Sequence, residues 1–413
     1  MSNDPADRIM SRCAALREIS ESDERYTRRY LTVEHRRAAD LIGDWMIAAG
    51  LSTRMDAAGN MVGRLEGAKP ELPALILASH FDTVTDAGTY DGQLGVVTAI
   101  EVAAALSARS ASLPFAIEVY AFADEEGGRF PTGYLASGQL VEQRVGADLM
   151  IADHDGTTLD EAMRAFGINP DELSAALRDP QDFVGYMEIH IEQGPVLEAE
   201  DLAVGTVTSI AGAMRLAVTV TGMGGHAGTV PMVLRRDALN AAAEVALGLE
   251  TIAKRYKDMV GTVGMVTITN PAINVIPGDV AFTIDLRAPI DADRLKARAE
   301  LTDLIDEIAA RRHVSFQIET TYESNSTKLD TRLMTAIDAA SVEVQGVARR
   351  LPSGAGHDAA MMAKLCPSAM IFVRCKDGVS HHPDESITQD DAGAGYRVML
   401  GAVEGLARES NSP

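Results

Sequence analysis

Cysteine is scarce in this chain. Cys13, Cys366 and Cys375 form an odd, widely spaced set, which argues against a disulfide framework and for a reducing compartment. Positive charge is in deficit as well. Thirty-seven Lys and Arg face 60 Asp and Glu, a net charge of −23. That field repels a phosphate backbone and removes the electrostatic drive to nucleic-acid binding. No apolar run approaches the roughly 20 residues that span a bilayer, and the polar stretch 1–12 lacks the apolar segment of a secretory signal. The expectation is a cytoplasmic protein without nucleic-acid or membrane partners.

What is present is the composition of a folded protein, with 46% hydrophobic and 23% charged residues. A chain of 413 residues exceeds one ordinary core, so two domains are expected. Residues 31–50 carry Val33, Ala38, Leu41, Ile42, Trp45 and Met46 at helical spacing, with Gly50 as a stop. Short apolar runs at 74–79, 115–123 and 186–191, with a helical stretch at 94–108, read as strands of a mostly parallel sheet flanked by helices. Beyond about residue 210 the order is strand 216–221, helix 237–256, strands 259–269 and 279–287, helix 292–312 and strand 314–320, a ferredoxin-like β-α-β-β-α-β unit. Helix 332–345 and strand 369–374 then resume the first pattern. The expected architecture is an α/β domain of residues 1–210 and 325–413 with an inserted α+β domain at 211–324.

Neutral imidazole is a common metal ligand, so the nine histidines come first. His35, within a helix, and His313, after one, are read as ordinary residues. His80 ends an apolar strand, and Asp82 two residues on is placed to hold the back of its ring. Asp91 precedes a helix, and Glu125-Glu126 follow a buried strand, where an α/β sheet presents its active site. Residues 188–195 contribute His190, and residues 378–385 contribute His381 and His382. Three imidazoles with two carboxylates suit a pair of Zn, Mn or Co ions rather than Mg or Ca.

Several strings then occur in order along nearly the whole chain: Ser79-His80-Phe81-Asp82-Thr83-Val84, Gly88-Thr89-Tyr90-Asp91-Gly92, Glu125-Glu126-Gly127, His190-Ile191-Glu192-Gln193-Gly194-Pro195, His226-Ala227-Gly228-Thr229-Val230-Pro231-Met232, Asn274-Val275-Ile276-Pro277-Gly278 and Ser353-Gly354-Ala355-Gly356-His357-Asp358. Together they resemble the M20 metallopeptidase clan, in its amidase, hydantoinase and carbamoylase branch. The resemblance implies that His80, Asp91, Glu126, His190 and His381 bind two divalent metals, with Asp91 bridging, and that Glu125 is the general base. His381 is preferred to His382 because the family's ligand follows the serine. Gly128 departs from the family's usual Ser or Ala.

The resemblance also implies a homodimer in which His226 stabilises the oxyanion of the partner's site, and an inserted domain that serves as lid and dimerisation unit. Asn274 and Arg287 match substrate-carboxylate positions, with Gln193 and Gly356 as further contacts. Arg215 resembles an arginine of the allantoate-hydrolysing members, so the expected reaction is cleavage of a ureido C–N bond, with allantoate preferred over an N-carbamoyl-L-amino acid or N-carbamoyl-β-alanine. The contrasting class, a non-catalytic binding module of the same fold, would be expected to lack the base or a ligand. Here every such position is filled.

Overall fold

The computed structural model describes residues 4–142 and 147–410. These divide into two compact units, one of residues 1–208, 329–351 and 356–413, the other of residues 209–328 and 352–355.

The first unit is built on a sheet whose strands run, from one edge, Ser52–Met55, Met61–Leu65, Ala116–Phe122, Ala74–His80, Phe183–Ile191, Ser368–Val373 and Val204–Ile210. The four strands in the middle are parallel, and antiparallel strands finish both sides. Ala74–His80 and Ala116–Phe122 are buried at every position, because neighbours pair on both edges and helices cover the faces. Each Leu, Ile or Val interred this way contributes about 1.5–3 kcal/mol relative to exposure. Helix Gln93–Ser107 packs over three of these strands and is itself almost wholly buried. Helix Val33–Ala48 is capped by the Thr32 hydroxyl, which accepts the His35 N–H, and it buries Ala38, Ala39, Ile42 and Met46 on one face.

Among the helices that were not anticipated, two are long. Pro5–Arg17 packs on Gln389–Ser410, which also packs on Thr331–Gln345. The long C-terminal helix buries chiefly small residues, among them Ala392, Gly393, Ala394 and Gly395, whose glycines weaken the helical signal in the sequence.

The second unit has the ferredoxin-like order. Strands Gly212–Thr221, Asp279–Ala288 and Ser315–Ser324 form an antiparallel sheet with Val260–Thr262 and Val266–Ile268 at one edge, and helices Ala238–Ala253 and Asp291–Arg312 pack together. Its core is Leu216, Val218, Val220, Val245, Phe282, Ile284, Leu301 and Ile305 with their neighbours. Residues 259–269, expected as one strand, are two. Between them Thr283 replaces the ladder locally, its hydroxyl accepting the Met265 N–H at 3.2 Å while its own N–H donates to the Met265 carbonyl at 3.1 Å.

Candidate metal centre

Parallel pairing brings the chemistry to the carboxyl ends of the central strands of the first unit's sheet. His80 is the last residue of its strand, and the neighbouring strand, in register at Ala78 with Glu188, carries His190. Glu125 and Glu126 follow Ala116–Phe122, and His381 follows Ser368–Val373. Asp91 sits before helix Gln93–Ser107. Its neighbour Gly92 has φ +66 and lies so close to the His80 ring that a Cβ would overlap it, so the turn requires glycine.

The Nε2 atoms of His80 and His190 are 3.3 Å apart, and Asp91 Oδ1 lies 3.5 Å from the first and 3.0 Å from the second. Asp91 Oδ2 lies 3.1 Å from His381 Nε2, which is 3.4 Å from Glu126 Oε1. Thus the structure gathers the five candidate ligands into two groups joined by Asp91: His80, Asp91 and His190, then Asp91, Glu126 and His381; His80 also groups with Glu125 and Glu126, and His190 with Glu188 and His357. His382 is exposed and pairs with Asp384 at 3.6 Å, apart from both groups.

The ring orientations are set from behind. His190 Nδ1 faces the Ile191 carbonyl at 2.9 Å. His80 Nδ1 faces the main-chain carbonyl of Asp82 at 3.1 Å, whereas the Asp82 carboxylate is 3.5 Å away. Both the carbonyl and the carboxylate of Asp82 stand behind the ring, the carbonyl nearer. The carboxylate also accepts the N–H groups of Glu125 at 3.0 Å and Glu126 at 3.1 Å. It thereby anchors the tandem glutamates, a role hidden from local spacing. Gln193 Nε2 donates to Asp91 Oδ2 at 3.1 Å and lies 3.2 Å from Ser380 Oγ. Gly356 packs against the Tyr134 hydroxyl too closely to admit a Cβ.

Charge is concentrated here. Burial, reinforced by Glu126, drives the Glu125 carboxyl well above the ordinary range, and burial with Asp91 pushes Glu126 up to about 7. The hydrogen bond to Asp91 raises His381 to about 9, against burial. Asp91 Oδ1 is buried and makes no well-aligned hydrogen bond among the described residues, although the two imidazoles face it. These donors fit two divalent cations.

Sequence reasoning passed over His357 and Glu385, although both lie within strings it singled out. His357 is buried edge-on to His190 with ring centroids 4.5 Å apart, and burial beside His190 holds it well below the usual histidine range, hence neutral. Glu385 accepts the N–H groups of Tyr90 at 2.7 Å and Asp91 at 3.0 Å. His35 is packed among Tyr30, Phe81 and Phe166, and His313 caps a helix end with φ +55, both consistent with structural roles.

The remaining candidates lie in the second unit. His226 is exposed on a short ribbon paired with Val275, and the Asn274 carbonyl accepts the Ala227 N–H at 2.8 Å. Arg215 and Arg287 share Asp285: Arg215 Nε donates at 3.2 Å, and Arg287 makes two bonds at 2.8 and 3.0 Å. Arg287 also donates to the Gly354 carbonyl at 2.8 Å, and Arg215 lies over the Tyr322 ring. Both arginines line a cleft of about 610 Å³ with Thr262, Thr283 and Thr321.

A mixed α/β fold with clustered imidazoles and carboxylates at the carboxyl ends of its strands defines a metallohydrolase. The model of peptidase family M20/M25/M40 matches residues 76–405, and the chain belongs to that family. It is 38% identical to an N-carbamoyl-L-amino acid amidohydrolase of Geobacillus stearothermophilus, over 97% of this chain and 98% of the relative. It is 37% identical to an allantoate deiminase of Arabidopsis thaliana, over 96% and 82% respectively. Among solved structures, a hydantoinase/carbamoylase family amidase from Burkholderia multivorans superposes with a TM-score of 0.91 at 32% identity, covering 97% of this chain and 98% of that one. Among the described residues no helix is long and apolar enough to cross a membrane.

Proposed function

We propose that this chain hydrolyses a ureido C–N bond of a small carboxylate substrate, allantoate foremost, as a cytoplasmic homodimer using two Mn or Zn ions per subunit. The observation that carries the reading is the convergence of His80, His190, His381, Glu126 and the shared Asp91 beside Glu125. Two ions held there would polarise the ureido carbonyl and make the attacking water more acidic.

The chain's own residues do the rest. Glu125, anchored through its N–H to Asp82, takes a proton from the attacking water and passes it to the leaving nitrogen, help worth about 10²–10⁴-fold. The partner subunit's His226 donates to the developing oxyanion. Support for a second copy comes from the apolar residues that follow His226: Met232, Val233 and Leu234 are all strongly exposed, and Ile273 on the paired loop is fully so.

Arg215 and Arg287 with the single Asp285 leave one net positive charge in their cleft. That matches a monocarboxylate, while the Asp285 and Gly354 oxygens offer acceptors for ureido N–H groups. Asn274, Gln193 and Gly356 are proposed as further substrate contacts on the family resemblance alone. Allantoate carries one carboxylate and two ureido arms, and this arrangement can engage more than one arm. The relative named N-carbamoyl-L-amino acid amidohydrolase favours the alternative substrate. Ammonia release from Mn- or Zn-loaded protein offered allantoate, N-carbamoyl-L-amino acids and N-carbamoyl-β-alanine separates the two. Preferential turnover of allantoate is expected, and turnover of carbamoyl-amino acids alone would transfer the reading to them.

A further inference from the structure

Glu385 is buried in the turn that follows His381, and the loop of Asp91 wraps around it. A Cβ on Gly88 would overlap its carboxyl group. Oε1 is occupied by the Tyr90 and Asp91 N–H groups at 2.7 and 3.0 Å. Oε2 faces Ser380 Oγ at 3.1 Å, and that same hydroxyl is 3.1 Å from Asp91 Oδ2. One serine proton therefore has two carboxylate oxygens at equal distance. The choice matters because Asp91 Oδ2 is the atom beside His381 and Glu126. Gln193 Nε2 already donates to Oδ2 at 3.1 Å, so a serine proton pointed there as well occupies the remaining lone pair that a cation would use.

We infer that Glu385 is a positioning residue of the metal centre: it draws the Ser380 hydroxyl toward itself and so keeps Asp91 Oδ2 open to the ion held with Glu126 and His381. Gln193 Nε2, 3.2 Å from Ser380 Oγ, donates to the lone pair that this orientation leaves exposed. The device acts on one ion only. Oδ1 faces His80 and His190 and takes no hydroxyl hydrogen bond among the described residues. The inference rests on the ligand assignment proposed above.

Glu385→Gln tests it. The amide oxygen can still accept the Tyr90 and Asp91 N–H groups, but the amide nitrogen now donates to Ser380 Oγ and turns the serine proton onto Asp91 Oδ2. Titration of metal-free protein with Mn²⁺ by calorimetry, with Co²⁺ absorption as a second signal, should show two ions in the wild type. In Glu385→Gln the weaker-bound ion should lose about 10- to 100-fold in affinity while the other stays within about threefold. Adding Ser380→Ala to Glu385→Gln removes the misdirected proton and should restore most of that loss, and Ser380→Ala alone should keep both ions within about threefold of wild type. Equal loss of both ions, a double variant no better than the single one, or a Glu385→Gln chain that does not fold would each mark Glu385 as merely structural and overturn the inference. A wild type that binds a single ion would overturn the ligand assignment itself, and the inference with it.

Discussion

His80 and His190 point their Nε2 atoms at one another across 3.3 Å, with Asp91 Oδ1 between them in reach of both. Two imidazole nitrogens converge on a carboxylate this way when a cation is to be shared, and in the metal-free chain only protons can play that part. Chelation should therefore abolish ammonia release, and Mn or Zn should restore it. Full turnover by verified metal-free protein would rule out the two-metal reading.

Glu125 is held by its main chain rather than by a ligand bond, since its N–H donates to Asp82. Glu125→Gln should keep both ions while kcat falls about 100-fold or more, the loss expected when a general base is removed. Metal content by elemental analysis, measured alongside kcat, tests this. A variant with near-normal kcat would remove Glu125 from the mechanism.

His381 and His382 are neighbours in sequence with different surroundings, the first against Asp91 and Glu126, the second against Asp384. His381→Ala should lower metal occupancy and His382→Ala should not; the opposite result would reassign the ligand. The sign of the pH effect follows from the same residue. His381 holds its proton up to about 9 without metal, so below that pH the ion must displace the proton. Glu126, pushed up to about 7, must also lose its proton, so apparent affinity for this ion should rise more steeply below about pH 7, then about tenfold per pH unit up to about 9, and then level off. Calorimetry at several pH values would read it, and an affinity that fell with rising pH would contradict it.

Subunit exchange tests the shared site. Glu125→Gln and His226→Ala chains should each be inactive, yet mixed dimers contain one site with both groups intact and should regain some activity. No recovery after verified exchange would place His226 outside the partner's chemistry.

Arg215 and Arg287 both bond Asp285, but Arg287 adds the Gly354 carbonyl and Arg215 lies over Tyr322. Arg287→Ala removes a charge-assisted contact of about 1.5–3 kcal/mol and should lower kcat/KM roughly ten- to a hundredfold for every carboxylate substrate. Arg215→Ala should damage allantoate hydrolysis most. Equal losses on allantoate and on carbamoyl-amino acids in Arg215→Ala would remove the reason for preferring allantoate.

The central buried strands with their flanking helices, the ferredoxin-like order beyond about residue 210 and the identity of the clustered imidazoles and carboxylates were determined by the sequence alone, whereas the helices Pro5–Arg17 and Gln389–Ser410 and the antiparallel strands at the sides of the first sheet were not. Apolar runs, helical spacing and motif strings are local, and each is written in consecutive residues. What only the tertiary structure decided lies between segments far apart in the chain. Asp82 anchors Glu125 and Glu126 more than forty residues on, and Glu385 holds the N–H of Asp91 from 294 residues away. Hydrogen bonds of this kind depend on where a carboxylate stands once the sheet has formed, because burial leaves a main-chain N–H seeking whatever acceptor the fold brings near. No spacing rule in the sequence carries that information, which is why the candidate imidazoles and carboxylates were legible and the residues that hold them in place were not.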